Sequence, residues 1–298
     1  MPLKKFKADL LPKMKEISLN VKKDLLTSAM AGELVAKLKG RGIEFEDYRD
    51  YTIVDDASRI DWRASQRAQR LLVREYKLNV NFNVFFLIDV SESMLFASTK
   101  KLKCEYAAEV VASLFFGVLG SGNAAGFGLF SDGIVKMVKP QLGQKQFHLF
   151  EREIKNVKNY GGKKNMGKAI QQTMSILGTR ALIFLVSDFI DTANEISDYL
   201  KIVSHVHETL GIMILDPRDF EIPETSGQLL LQDPFSDETI YVDAREYAKL
   251  YKEYNLKNRR LIETIFHQNK AKLVELRTNQ SYFNPLMQFF RTSGARWR

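Results

Sequence analysis

The 298-residue sequence predicts an α/β fold built on a doubly wound, mainly parallel sheet. Two observations predict it. Wholly apolar runs of strand length, "VFFLI" (84–88), "ALIFLV" (181–186) and "GIMIL" (211–215), recur along the chain with helical stretches between them. A run that is apolar at every position is a strand covered on both faces, as a central parallel strand is. Second, these runs end in acids: Asp89, Asp188 and Asp216, with Asp132 closing a further strand-like stretch. Ligands of such sheets bind outside the carboxyl ends of the strands, so at least some of these acids should share one crevice.

The elements follow in order. Among the first 78 residues, "LLTSAMAGELVAKL" reads as helix, "IEFEDYRDYTI" as extended chain and "DASRIDWRASQRA" as a short helix capped by Asp56. Val80 and Phe82 alternate with asparagines before the first buried strand. A helix over about 101–119 follows, apolar on a broad face with Glu105 and Glu109 expected outside, and Gly120, Gly122 and Asn123 end it. "AAGFGLFSD" reads as a strand, with "IVKMVKP" as its hairpin mate or a neighbouring edge. Helices near 145–156 and 165–177 flank the break "YGG", and another near 194–206 precedes the strand 211–217. Beyond Pro217 come two short strands around Asp233–Pro234 and a long helix over about 244–272. Its apolar side is expected to comprise Tyr247, Leu250, Tyr251, Tyr254, Leu261 and Ile265. A short strand and the helix "NPLMQFF" end the chain. The expected division is an N-terminal segment 1–78 packing on a core 79–217, completed by a hairpin and helices over 218–298.

Composition narrows the function classes. Hydrophobic content of 45% with 27% charged residues is that of an ordinary globular chain. No apolar run approaches the roughly 18 residues of a membrane helix, and the basic N-terminus lacks the apolar core of a signal peptide, so the expected location is cytoplasmic. A single cysteine, Cys104, excludes an internal disulfide and a Cys-rich zinc cage. Net charge is +8, which favours acidic partners. The positive charge is spread along the chain rather than gathered into a nucleic-acid module, although a basic block runs from Arg59 to Arg74.

The stretch "VFFLIDVSESM" carries the sharpest functional signal. Asp89, Ser91 and Ser93 suit a turn, because such side chains bond their own backbone. They equally suit half of an oxygen-ligand cage, and their spacing leaves both readings open. "DVSES" resembles the D-x-S-x-S form of the metal-ion-dependent adhesion site (MIDAS) in von Willebrand factor type A domains, and "VSDF" resembles the later aspartate of that site. The block "GRGIEFEDYRDYTIVDDASRIDWRASQR" (40–67), with "LDPRDFEIP" and "LLLQDP" downstream, resembles the family called domain of unknown function 58. That resemblance implies a type A core with family-specific additions. It also implies a protein-interaction adaptor rather than an enzyme, working with a MoxR-type AAA+ ATPase or its client in complex assembly or maturation.

The resemblance implies a hard cation, Mg2+ or Mn2+, on Asp89, Ser91, Ser93 and Asp188, with a coordination position left for a partner's acid. One departure bears on this. Where type A domains place a threonine, this chain has Lys164, followed by Asn165. A protonated amine has no lone pair to donate. Either Lys164 swings outward and Asn165 lends its amide oxygen to the metal, or the ammonium replaces the cation. Arg59 and Asp61 are expected to fix the N-terminal segment or to belong to a partner surface, and Trp62 to pack inward. Two rival readings remain: a metal-dependent hydrolase using the same carboxylate rim, and a basic nucleic-acid-binding protein. Against the hydrolase, His148, His205, His207 and His267 all fall on or beside helices, away from the strand ends.

Overall fold

The structure is a computed structural model that describes residues 6–8, 10, 43–52, 60–78, 83–178, 180–222, 227–232 and 239–295. Strands β1 (Ile43–Asp50) and β2 (Leu72–Leu78) form an antiparallel pair, joined through the short helix α1 (Trp62–Ala68). Strand β3 (Asn83–Asp89) leads through a 3-10 turn at Glu92–Leu95 into helix α2 (Lys103–Gly120). There follow β4 (Ala124–Phe130), β5 (Ile134–Gln141), α3 (Lys145–Ile154) and α4 (Met166–Ile176). Next come β6 (Ala181–Ser187), α5 (Ala193–Val206) and β7 (Glu208–Leu215). The hairpin of β8 (Gln228–Gln232) and β9 (Thr239–Asp243), helix α6 (Ala244–Gln268), strand β10 (Lys272–Arg277) and helix α7 (Phe283–Ala295) complete the chain.

Six strands form the central sheet in the order β5-β4-β3-β6-β7-β10, parallel throughout except for the antiparallel edge strand β5. The order reverses at β3, the doubly wound arrangement the apolar runs predict, and it puts the crevice beside the end of β3. On β3, Val84, Phe86 and Ile88 face a layer containing α2, α3 and α7, while Phe85 and Leu87 face α4, α5 and α6. Phe86 stacks on Phe184 of β6 with ring centroids 4.8 Å apart. Burial on both faces explains why neither strand shows polar alternation.

Four expectations need correction. Glu105 and Glu109 are buried rather than exposed, because Lys7 and Leu102 donate backbone bonds to Glu105 and Lys101 pairs with Glu109. Trp62 is 66% exposed. Helix α1 begins at Trp62 with Asp61 as its cap, not at a cap on Asp56, which lies outside the described residues. On α6 the buried face is Ala248, Ile262, Ile265 and Phe266, whereas Leu250, Tyr254 and Leu261 face solvent. The sheet contacts follow the 248-262-265-266 face, so the competing apolar stripe is left outside. The alternating residues at 79–82 and the turn at Asp233–Pro234 lie outside the described residues. Among those described, no helix is long and apolar enough to cross a membrane.

Close approach of β4 to β5 depends on Gly126. A Cβ there would lie 2.5 Å from the Pro140 nitrogen and 2.6 Å from the Val138 carbonyl oxygen, both backbone atoms that cannot rotate away. Gly126→Ala is therefore expected to lower unfolding stability by roughly 1–3 kcal/mol in urea titrations, as overpacking does. Unchanged stability would show that β5 is not held this close.

Candidate functional site

The crevice at the strand ends is assembled by three loops. Asp89 closes β3, and the chain turns at once: Ser91 N donates to Asp89 Oδ1 at 2.9 Å, the Asx-type bond that favours Asp at a strand end. Ser187, the last residue of β6, donates its hydroxyl to Asp89 Oδ2 at 2.6 Å. Both oxygens of this wholly buried carboxylate are thus fixed before any partner arrives. Ser91 and Ser93 lie together, their hydroxyl oxygens 3.2 Å apart.

The loop before α4 is stitched onto this turn. Gly161 N donates to Val90 O at 2.8 Å, Glu92 N to Gly162 O at 3.0 Å, and Asn165 N to Ser131 O at 2.8 Å. Gly161 and Gly162 adopt φ of 115° and 84°, a backbone region that favours glycine, which is why "YGG" stands here. Asn165 caps α4, its Oδ1 accepting from Lys168 N at 2.9 Å, so its amide oxygen is directed to the helix. Lys164 turns inward. Its Nζ bonds to Asp188 Oδ1, lies 3.3 Å from Ser93 Oγ and stands 3.6 Å from Asp89 Oδ2.

A second ammonium completes the cluster. Lys103, the first residue of α2, reaches Asp188 Oδ2 at 2.8 Å and Asp219 Oδ2 at 3.1 Å, and its side chain is 1% exposed. Asp219 belongs to a 3-10 turn, Pro217–Asp219, whose capping is reciprocal: Asp216 Oδ1 accepts from Arg218 N, and Asp219 Oδ2 from Asp216 N. Asp216 itself is buried and accepts from Ser98 N at 2.9 Å and from Thr278 Oγ1 at 3.2 Å, tying the turn before α2 to β7 and β10. The motif "LDPRD" thus delivers one structural acid and one cluster acid.

Burial opposes every charge here, and the ion pairs decide the outcome. Burial alone would raise Asp188, but Lys103 and Lys164 on its two oxygens hold it well below the usual carboxylate range. Burial would lower both lysines, yet Asp188 and Asp219 keep Lys103, and Asp188 and Asp89 keep Lys164, above the ordinary lysine value. Asp219 moves the other way, because its burial outweighs the attraction of Lys103.

The structure therefore brings Asp89, Ser91, Ser93, Lys164 and Asp188 together and turns Asn165 away. The remaining strand-end acid, Asp132, is exposed and pairs with Lys168 at 3.5 Å. Asp61 sits apart, capping α1 through Arg63 N and Ala64 N and accepting from the Tyr48 hydroxyl at 3.2 Å. Arg59 lies outside the described residues. Lys103, Asp219 and Ser187 were missed by sequence reasoning. One signal for Lys103 was available: a lysine in the first turn of a helix opposes the helix dipole and needs an acid to hold it.

As arranged, these oxygens suit an ammonium better than a divalent ion. A dication about 4 Å from a lysine ammonium would meet a repulsion of roughly 8 kcal/mol at an effective dielectric of 20. Among the described residues no group of three or more His, Cys, Asp or Glu side chains is disposed to hold a metal. His207 is buried with Nδ1 accepting from Ala181 N at 3.2 Å, far from general-base geometry at the strand ends.

Residues 47–262 match the family described as protein of unknown function DUF58. Uncharacterized proteins of Mycobacterium bovis and Mycobacterium tuberculosis are each 27% identical over 222 residues, spanning 74% of this chain and 69% of theirs. Among solved structures, the conserved hypothetical protein BatB from Bacteroides thetaiotaomicron is similar with a TM-score of 0.47 and 13% identity, over 72% of this chain and 100% of that one. A von Willebrand factor type A protein from Catenulispora acidiphila gives a TM-score of 0.40 and 10% identity, over 75% of this chain and 44% of that one.

Two outcomes follow from the cluster. Lys103→Met keeps the side-chain length but leaves Asp188 and Asp219 short of a buried cation, and is expected to cost roughly 3–5 kcal/mol of unfolding free energy. A cost under about 1 kcal/mol would mean the pair is not buried as described. For pH, the depressed Asp188 stabilises the fold fully above the unfolded aspartate value of about 4, and that contribution is lost as pH falls below it. The raised lysines contribute below about 10.4 and lose that contribution only as pH rises past their folded values. Stability of Asp188→Asn, followed from pH 7 to 2, should therefore fall less steeply below pH 4 than that of the wild type.

Proposed function

The chain belongs to the DUF58 family, and on that premise we propose that it is a non-enzymatic protein-interaction module: a cytoplasmic adaptor for a MoxR-type AAA+ ATPase or its client in complex assembly or maturation. One observation carries the reading. The oxygen cage at the strand ends is closed by the chain's own ammonium groups, with Lys164 between Asp188, Ser93 and Asp89. Carboxylates held in such pairs are poor bases, which speaks against hydrolysis at this rim.

A fixed cation at this place can still recognise an acid. An ammonium has three donors, and Lys164 spends one on Asp188 and one on Ser93. Its side chain keeps 10% of its surface open, so a partner's carboxylate reaching the rim would meet a positive charge held in a mostly dry setting. Phe96, 45% exposed beside Lys103, offers an apolar contact at the same rim. The degenerate adhesion site would thus dock an acidic partner surface through an amine, where type A sites use a metal bridge.

Lys164→Gln tests this directly, because Lys103 remains to neutralise Asp188. Affinity for the purified MoxR-type ATPase of the same genome, measured by biolayer interferometry, should fall at least about tenfold while the Tm stays near that of the wild type. Equal affinity in a folded variant would contradict docking at this rim.

A further inference from the structure

A cavity of about 370 Å³ opens between α6 and the carboxyl ends of β6, β7 and β10, a volume in the range of small-ligand sites. One wall is shared with the ion cluster through Asp188 and Asp219. The interior is apolar, lined by Phe189, Met213, Leu215 and Ile262. Arg259 and Arg277 also line it and flank the ring of Phe220, their guanidinium carbons 5.5 and 4.3 Å from its centroid.

The charges around the cavity are unequally spent. Its acids are occupied: Asp188 and Asp219 by Lys103, and Glu221 by Lys252 at 3.2 Å. The two arginines share one close carboxylate, Glu275, at 2.7 Å from Arg259 and 3.1 Å from Arg277, and both contacts use Nε. The weaker Arg259–Glu263 contact at 3.5 Å also uses Nε. The paired terminal amino groups, the fork that fits a carboxylate, make no hydrogen bond among the described residues, where the bonds to Glu263 and Glu275 both leave from Nε. Asn255 supplies an independent sign. It lies beside the Tyr251 hydroxyl, yet its buried Nδ2 has no acceptor in good geometry among the described residues, a donor that costs stability until one is supplied.

We infer that this cavity binds a carboxylate carried on an apolar group, with the apolar part against Phe189, Met213 and Ile262 and the carboxylate on the Arg259 and Arg277 forks and Asn255. The ligand is either a free small acid or the C-terminal residue of a protein chain, which offer the same chemistry. The inference does not rest on the docking reading, since the Lys164 rim and the arginine pair are changed by different substitutions.

Calorimetric titration of the full chain with N-acetyl-leucine, against N-acetyl-leucinamide, isolates the carboxylate. The acid is expected to bind and the amide to give no heat. Arg277→Gln should weaken the acid at least about tenfold, and so should Asn279→Asp, which sets a negative charge in the lining without touching an ion pair. Lys257→Gln, an exposed change on α6 outside the lining, should leave binding unaltered. A short alanine peptide ending in leucine that binds as well as the acetylated residue points to a chain terminus; binding of the single residue alone points to a free acid. Silence from both acids, equal binding of the amide, or full binding by both cavity variants would overturn the proposal.

Discussion

Asp188 sits at the end of a fully buried strand with an ammonium on each oxygen, and the rim is organised around that fact. A buried carboxylate is tolerable only when it is paired and hydrogen-bonded. Here one oxygen takes Lys103 from the helix after β3, and the other takes Lys164 from the loop before α4. The same carboxylate therefore ties three segments of the chain to one point. Asp219 brings in a fourth through Lys103, and Asp89 a fifth through Ser187 and Lys164.

Such an arrangement supplies limited net stability, because desolvating ions roughly cancels their attraction. What it does supply is a fixed geometry with charge. Lys103 neutralises two acids at once, so its loss strands both, whereas loss of Lys164 leaves Asp188 paired with Lys103. The neighbouring Asp216 has the opposite character. Burial opposes its charge, but bonds from Ser98, the Arg218 amide and Thr278 keep its pKa low, and it acts as a clamp between loops.

Much of this was legible in the chain. Apolar runs closed by acids identified β3, β6 and β7 and placed the crevice, because burial on both faces and the strand-end rule are local properties of sequence. Asp89, Ser91, Ser93 and Asp188 were found because they stand at or just past strand ends, and Lys164 through the resemblance to type A domains, which place a threonine there. Lys103 and Asp219 were not, since each lies beyond its strand and reaches back by a side-chain length, a distance no periodicity encodes. Surface placements failed for a related reason. On α6 two apolar stripes compete, and only the packing against the sheet shows that the 248-262-265-266 face is the buried one. Glu105 and Glu109 looked like solvent positions until the chain at Lys7 and the Lys101 side chain were seen to cover them.

The proposed role of Lys164 is to stand as the cation where the sequence's resemblance to type A adhesion sites implies a metal. Crystals grown in millimolar Mn2+ test it most directly, through anomalous scattering at the Asp89–Ser93–Asp188 oxygens. No anomalous peak is expected there, and the Lys164 ammonium should be in contact with Asp188. A manganese peak within about 2.2 Å of those oxygens, with Lys164 turned to solvent, would contradict it.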